Sequence, residues 1–79
     1  MAFDFKSLEL FVRAAALGAI GRAGADFGLS PTNATQRIQA LEAELGAKLL
    51  NRTTRAVSLT PDGEVFLCYA KRILNDAED

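Results

Sequence analysis

The stretch Ser30-Pro31-Thr32-Asn33-Ala34-Thr35-Gln36-Arg37-Ile38-Gln39-Ala40-Leu41-Glu42-Ala43-Glu44-Leu45-Gly46 carries its own punctuation. Ser30 is an N-cap residue, Pro31 sits at the first helical position where its missing N–H costs nothing, and Gly46 is a C-terminal stop. Between them Ala34, Ile38, Leu41 and Leu45 recur at helical spacing and form one narrow apolar face. With that face turned inward, 100° per residue puts Thr32, Asn33 and Gln36 outward, Gln39 beside them, and Thr35 and Arg37 on the flanks. The outward face of the first two turns therefore presents amides, hydroxyls and one guanidinium. Acids appear only at Glu42 and Glu44. Gln and Asn can bond adenine bidentately, Arg can bond guanine, and hydroxyls can bond base edges or phosphates. An acid-free helix N-terminus also favours phosphate through its N–H groups. Any surface helix carries polar residues outward; what sets this one apart is the absence of Lys and Glu from that face.

Upstream, Leu8, Phe11, Val12 and Ala15 predict a helix over Phe5–Leu17, with Asp4 as N-cap, Phe3 stapling against Leu8, and Gly18 as its end. A short helix follows over Ile20–Phe27, with Ile20, Ala23, Gly24 and Phe27 on one side. Its Gly21 and Gly24 each cost about 1 kcal/mol relative to Ala. Gly28 then makes a turn, and Leu29 points back to the core. A short helix, a tight turn and a second helix with an exposed polar N-terminal face make a helix-turn-helix.

Downstream the period changes. Leu49 and Leu50 precede the polar run Asn51-Arg52-Thr53-Thr54-Arg55, and Val57 and Leu59 then alternate with Ser58. This predicts two short antiparallel strands with a polar tip. Arg52 and Arg55 bracket that tip, and a narrow minor groove attracts Arg. A solvated turn carries the same residues, so it is the neighbouring helix pattern that makes the hairpin a wing. Thr60 then caps a fourth helix, with Pro61 at its first position and Asp62 in the first turn. Phe66, Tyr69, Ala70 and Ile73 repeat along it. Asp76, Glu78 and Asp79 lie where a helix dipole prefers cations, which predicts a helix that continues beyond this sequence. The fold expected is mainly α: a winged helix-turn-helix with a three-helix core, a short two-stranded wing and a long C-terminal helix.

The 79 residues hold one small core. There is no His and a single cysteine, Cys68, so no Cys/His zinc site and no internal disulfide can form. No apolar run approaches the roughly 20 residues of a membrane span, and the N-terminus lacks a signal-peptide pattern. The expectation is a cytoplasmic, metal-free domain without a cofactor. Nine Lys and Arg stand against ten Asp and Glu, a net charge of −1. The cations are nonetheless local: Lys48, Arg52 and Arg55 fall between Gly46 and Thr60, and Arg13 and Arg22 between Leu10 and Ala25, with no acid in either stretch. Catalysis lacks its parts, since no base is paired with a nucleophile. Cys68, on a mostly apolar stretch, is expected to pack inside.

These residues resemble a known family. Leu8-Glu9-Leu10-Phe11-Val12, Leu29-Ser30-Pro31, Ile38-Gln39-Ala40-Leu41-Glu42-Ala43-Glu44-Leu45-Gly46, Leu49-Leu50-Asn51-Arg52-Thr53-Thr54-Arg55 and Leu59-Thr60-Pro61-Asp62-Gly63 together resemble the N-terminal DNA-binding domain of a LysR-type transcriptional regulator. The resemblance runs from about Leu8 to Leu74. It implies a DNA-binding domain over residues 1–60 and the start of a linker or dimerisation helix over 61–79, the effector-binding domain being absent. It implies a recognition helix of about 31–45 in the major groove and a wing of about 51–56 near the minor groove. The DNA-binding residues expected are Arg22, Ser30, Thr32, Asn33, Thr35, Gln36, Arg37, Arg52, Thr53 and Arg55, with Arg55 entering the minor groove. Phe66, Tyr69, Ala70 and Ile73 are expected to pair two subunits. The partners implied are partly palindromic double-stranded DNA and a second copy of the chain, with tetramers and a small-molecule effector belonging to the full-length protein. The family usually has Ser-Arg where this chain has Thr35-Gln36, which implies weaker phosphate or guanine contact unless Arg37 substitutes. It usually has Ser or Thr near Gly21 and Ala at Gly24, which implies a less stable second helix here. The alternative is a winged-helix interaction module that does not bind specific DNA, for which the low sequence pI of about 5.3 speaks.

Overall fold

In the computed structural model, which describes residues 5–52 and 56–78, the order is α1 (Phe5–Leu17), α2 (Ile20–Ala25), α3 (Pro31–Leu45), β1 (Leu50–Arg52), β2 (Val57–Leu59) and α4 (Pro61–Glu78). This is a winged helix-turn-helix. Helix α1 is the hub: it packs against α2, α3, α4 and β2. That many neighbours demand a broad apolar face, and Leu8, Leu10, Phe11 and Ala14 are all buried, while Val12 is only partly so. Leu10 and Ala14 thus belong to the core beyond the four residues that spacing picked out, and Ala15 is only half-buried. Asp4 and Phe3, expected to cap and staple this helix, lie outside the described residues.

Helix α2 stops at Ala25, two residues earlier than the pattern suggested. Its last turn tightens: Asp26 N–H donates to Ala23 O at 3.2 Å and Phe27 N–H to Gly24 O at 2.9 Å. Leu29 N–H then reaches back to Gly24 O (2.9 Å) and Gly28 N–H to Ala25 O (3.1 Å), the paired bonds of a Schellman ending. Such an ending needs one left-handed residue, and Gly28 supplies it at φ +72°. The turn brings α3 close against α2. A Cβ on Gly24 would lie 2.5 Å from Ala34 Cβ, so the glycine expected only to weaken α2 also permits its close approach to α3.

Helix α3 runs as its punctuation predicts. Ser30 Oγ accepts from Asn33 N–H at 3.1 Å, and at the far end Ala47 N–H donates to Glu42 O at 3.2 Å around the left-handed Gly46. Ala34, Ile38 and Leu41 are buried and Leu45 packs on the core edge.

The wing strands pair antiparallel with Leu50 opposite Leu59 and Arg52 opposite Val57. Leu49 and Leu50 fill the core beneath it. Val57 N–H donates to Gly18 O at 3.0 Å, which ties β2 to the end of α1. Thr60 caps α4 by accepting from Gly63 N–H at 2.9 Å. Ala70 on α4 is fully buried, and the Phe66 ring sits 5.5 Å from that of Phe11. The first half of α4 thus shares the core of the helix-turn-helix.

Candidate nucleic-acid interface

The outward side of α3 carries Thr32, Asn33, Gln36 and Gln39 exposed, with Thr35 and Arg37 half-buried on its flanks. The helical rotation argued from the sequence is therefore the one adopted. Two shallow depressions groove this face. One is lined by Leu29, Asn33, Gln36 and Arg37, the other by Pro31, Thr32, Thr35, Gln36 and Gln39. Gln36 borders both, which places its amide at the middle of the face. No acid lies among these residues.

Ser30 is exposed but its oxygen serves the cap, which leaves its hydroxyl proton for an acceptor outside. Pro31 has no N–H, and those of Asn33 and Ala34 are taken by Ser30. Of the first turn's backbone donors, that of Thr32 stands outside these bonds. The helix N-terminus thus offers fewer N–H groups to a phosphate than the sequence suggested.

Arg22 is exposed on α2, next to Gly21, whose Cα side faces the Pro31 ring. Gly21 thus lies against the start of α3, one residue before this cation. Arg13, on α1, instead donates through Nε to Asp26 Oδ2 at 2.9 Å, an exposed pair of small energetic weight. Of the wing residues, Thr53 and Arg55 lie outside the described residues, as does the Arg52 side chain; the Arg52 backbone forms the last position of β1.

Helix α4 divides the four residues expected to pair subunits. Phe66 and Ala70 turn inward, onto Phe11 and into the core, because α1 needs a cover on that side. Tyr69 is 60% exposed and Ile73 39%. Val65, which the sequence reading passed over, is 63% exposed and stands one turn before Tyr69. Its spacing of four from Tyr69 and eight from Ile73 was the available signal. Val65, Tyr69 and Ile73 form an apolar stripe open to solvent. Cys68 is exposed, contrary to the expectation of a packed thiol: two positions from Phe66 it rotates about 200° away from the inner face.

Glu42 was seen only as an acid placed late in α3. It turns toward the wing, where Oε2 accepts from Leu49 N–H at 2.8 Å and Leu50 N–H at 3.1 Å. Nothing in its local spacing reveals this, because the donors lie seven and eight residues on, beyond the helix stop.

Among the described residues no group of His, Cys, Asp and Glu could hold a metal ion, and no helix is long and apolar enough to cross a membrane.

Residues 5–64 match the family described as bacterial regulatory helix-turn-helix protein, lysR family. The chain is 42% identical over 71 residues to the HTH-type transcriptional regulator TfdT of Cupriavidus pinatubonensis, covering 90% of this chain and 31% of that protein. It is 40% identical over 73 residues to the regulator YhjC of Escherichia coli, covering 92% of this chain and 24% of that protein. It thus spans 24–31% of the length of these relatives. Among solved structures it superposes on the CbnR DBD–DNA complex with a TM-score of 0.90 at 38% identity, covering 96% of this chain and 87% of that one. With the helix-turn-helix, the wing and this match over most of its length, the chain belongs to the lysR family of bacterial regulatory helix-turn-helix proteins.

Proposed function

We propose that this chain is the domain through which a LysR-type transcriptional regulator binds double-stranded DNA in a sequence-specific manner. The observation that carries the reading is the exposed, acid-free face of α3, with Gln36 at its centre and Thr32, Asn33 and Gln39 around it. Placed in a major groove, these amides and hydroxyls have the donors and acceptors that distinguish base pairs. Arg22 and Arg37 flank the helix, and Arg52, Thr53 and Arg55 on the wing approach the adjacent minor groove. The solved CbnR complex with DNA, 38% identical, supports this assignment.

The chain acts as a dimer in this reading, joined through Val65, Tyr69 and Ile73. An apolar stripe of three large side chains on one helix has a natural partner in its own two-fold copy. Two recognition helices then read half-sites about 34 Å apart. The effector and the tetramer belong to the longer regulator. Its relatives are regulators, and transcriptional control in the cytoplasm, without catalysis, is the role proposed.

The test is duplex binding across a salt series. Specific binding predicts an affinity that falls steeply with salt, with a slope near −0.9 per phosphate neutralised. A folded chain that binds no duplex at moderate salt would instead be an interaction module.

A further inference from the structure

We propose that Glu42 is a positioning residue that fixes the wing relative to the recognition helix, so that the minor-groove contact depends on a carboxylate that never touches DNA. The inference rests on the reading of the wing given above and adds to it the element that aims it.

The segment Lys48–Leu50 is the hinge between α3 and the wing. Its backbone is held from two sides. Glu42 Oε2, one turn before the end of α3, accepts from both Leu49 and Leu50 N–H, at 2.8 and 3.1 Å. From the other side Thr60 donates through its hydroxyl to Lys48 O and through its N–H to Leu49 O, the latter at 3.0 Å. The same Thr60 oxygen caps α4. Two consecutive carbonyls and two consecutive N–H groups are thus satisfied by α3 and by the start of α4. Leu49 and Leu50 are each 1% exposed, so water has little access to replace a lost partner.

The geometry makes the link specific. Gly46 ends α3 with a left-handed residue, and only Ala47 and Lys48 separate it from the clamped N–H groups. Besides Glu42, the short turn after Gly46 and the packing of Leu49 and Leu50 join β1 to α3, while Thr60 joins the same segment to α4. A carboxylate taking two N–H bonds is a charge-assisted pair, stronger than its neutral counterpart. It sets the direction in which β1 leaves the helix. Glu42 shares the Thr35 flank of α3, and its Oε2 is turned onto the Leu49 and Leu50 N–H groups.

The test is a double-mutant cycle on duplex binding, using duplexes selected from a random library by the wild-type chain. The chains are wild type, Glu42→Ala, Arg55→Ala and the double variant, with helicity followed by circular dichroism. Arg55→Ala is expected to weaken binding about tenfold, as is Glu42→Ala. The double variant is expected to stay within about twofold of Arg55→Ala alone, because a wing already lacking its cation gains nothing from being aimed. Losses that multiply to about a hundredfold would overturn the proposal. An Arg55→Ala variant that binds like wild type would overturn the wing reading itself. The positioning link has its own readout in the free chain. Amide exchange at Leu49 and Leu50 should speed at least tenfold in Glu42→Ala while that of Phe11 is unchanged; unchanged exchange at 49 and 50 would overturn it. Glu42→Gln keeps an acceptor oxygen and guards against a variant that fails to fold. It should return to within about threefold of wild type in both measurements. A defect as large as that of Ala would show that the hydrogen bonds are not what acts.

Discussion

Helices α3 and α4 are both amphipathic, both begin with a Ser or Thr cap followed by proline, and both bury one side against α1, yet they show the solvent opposite chemistry. On α3 a single narrow apolar sector, Ala34, Ile38 and Leu41, is covered by the chain, and the far side is amide and hydroxyl. Helix α4 carries two apolar sectors offset by one residue, about 100° apart. Phe66, Ala70 and Leu74 lie on the inner one, and Val65, Tyr69 and Ile73 on the outer. A helix with one covered face is left as a surface for polar partners, whereas surplus apolar width marks a second, unmet packing demand.

The comparison breaks first, and most visibly, at Phe66. If the inner sector of α4 belongs to the core of a single chain, Phe66→Ala should cost about 3–5 kcal/mol of folding stability, read from thermal or urea unfolding. A loss below about 1 kcal/mol would move Phe66 to the outer surface. Next comes Gln36. Replacing it with Ala should leave stability nearly unchanged and alter preference at one base position by about 1–3 kcal/mol, measured against duplexes varied one pair at a time. Uniform weakening on all sequences would make Gln36 a backbone contact. For Tyr69→Ala stability is expected to change by no more than about 0.5 kcal/mol in the single chain, since its ring is mostly solvated. The same variant should weaken self-association severalfold in sedimentation equilibrium. Unchanged association would remove the outer stripe from the dimer interface.

The same contrast explains what was legible in the sequence. The end of α1 and both bounds of α3 follow from local signals: Gly18, Ser30, Pro31 and Gly46 each act within a turn of themselves. The rotation of α3 was legible because its apolar positions leave one choice. Helix α4 offered two overlapping choices, and the set Phe66, Tyr69, Ala70 and Ile73 took members of both; only the position of α1 separates them. Cys68 was misplaced for the same reason. Gly24 read as a propensity defect because its value lies in the distance to Ala34, ten residues away and on another helix. Glu42 was the least legible, since its partners are backbone groups across a helix end and carry no residue signature.

If the outward face of α3 reads base sequence, binding must discriminate among duplexes. A selection of bound duplexes from a random library, at low and then physiological salt, tests it most directly. Enrichment of two related half-sites about one helical turn apart is expected, with the preference kept as salt rises. Binding that enriches no sequence, from a chain shown to be folded, would contradict it.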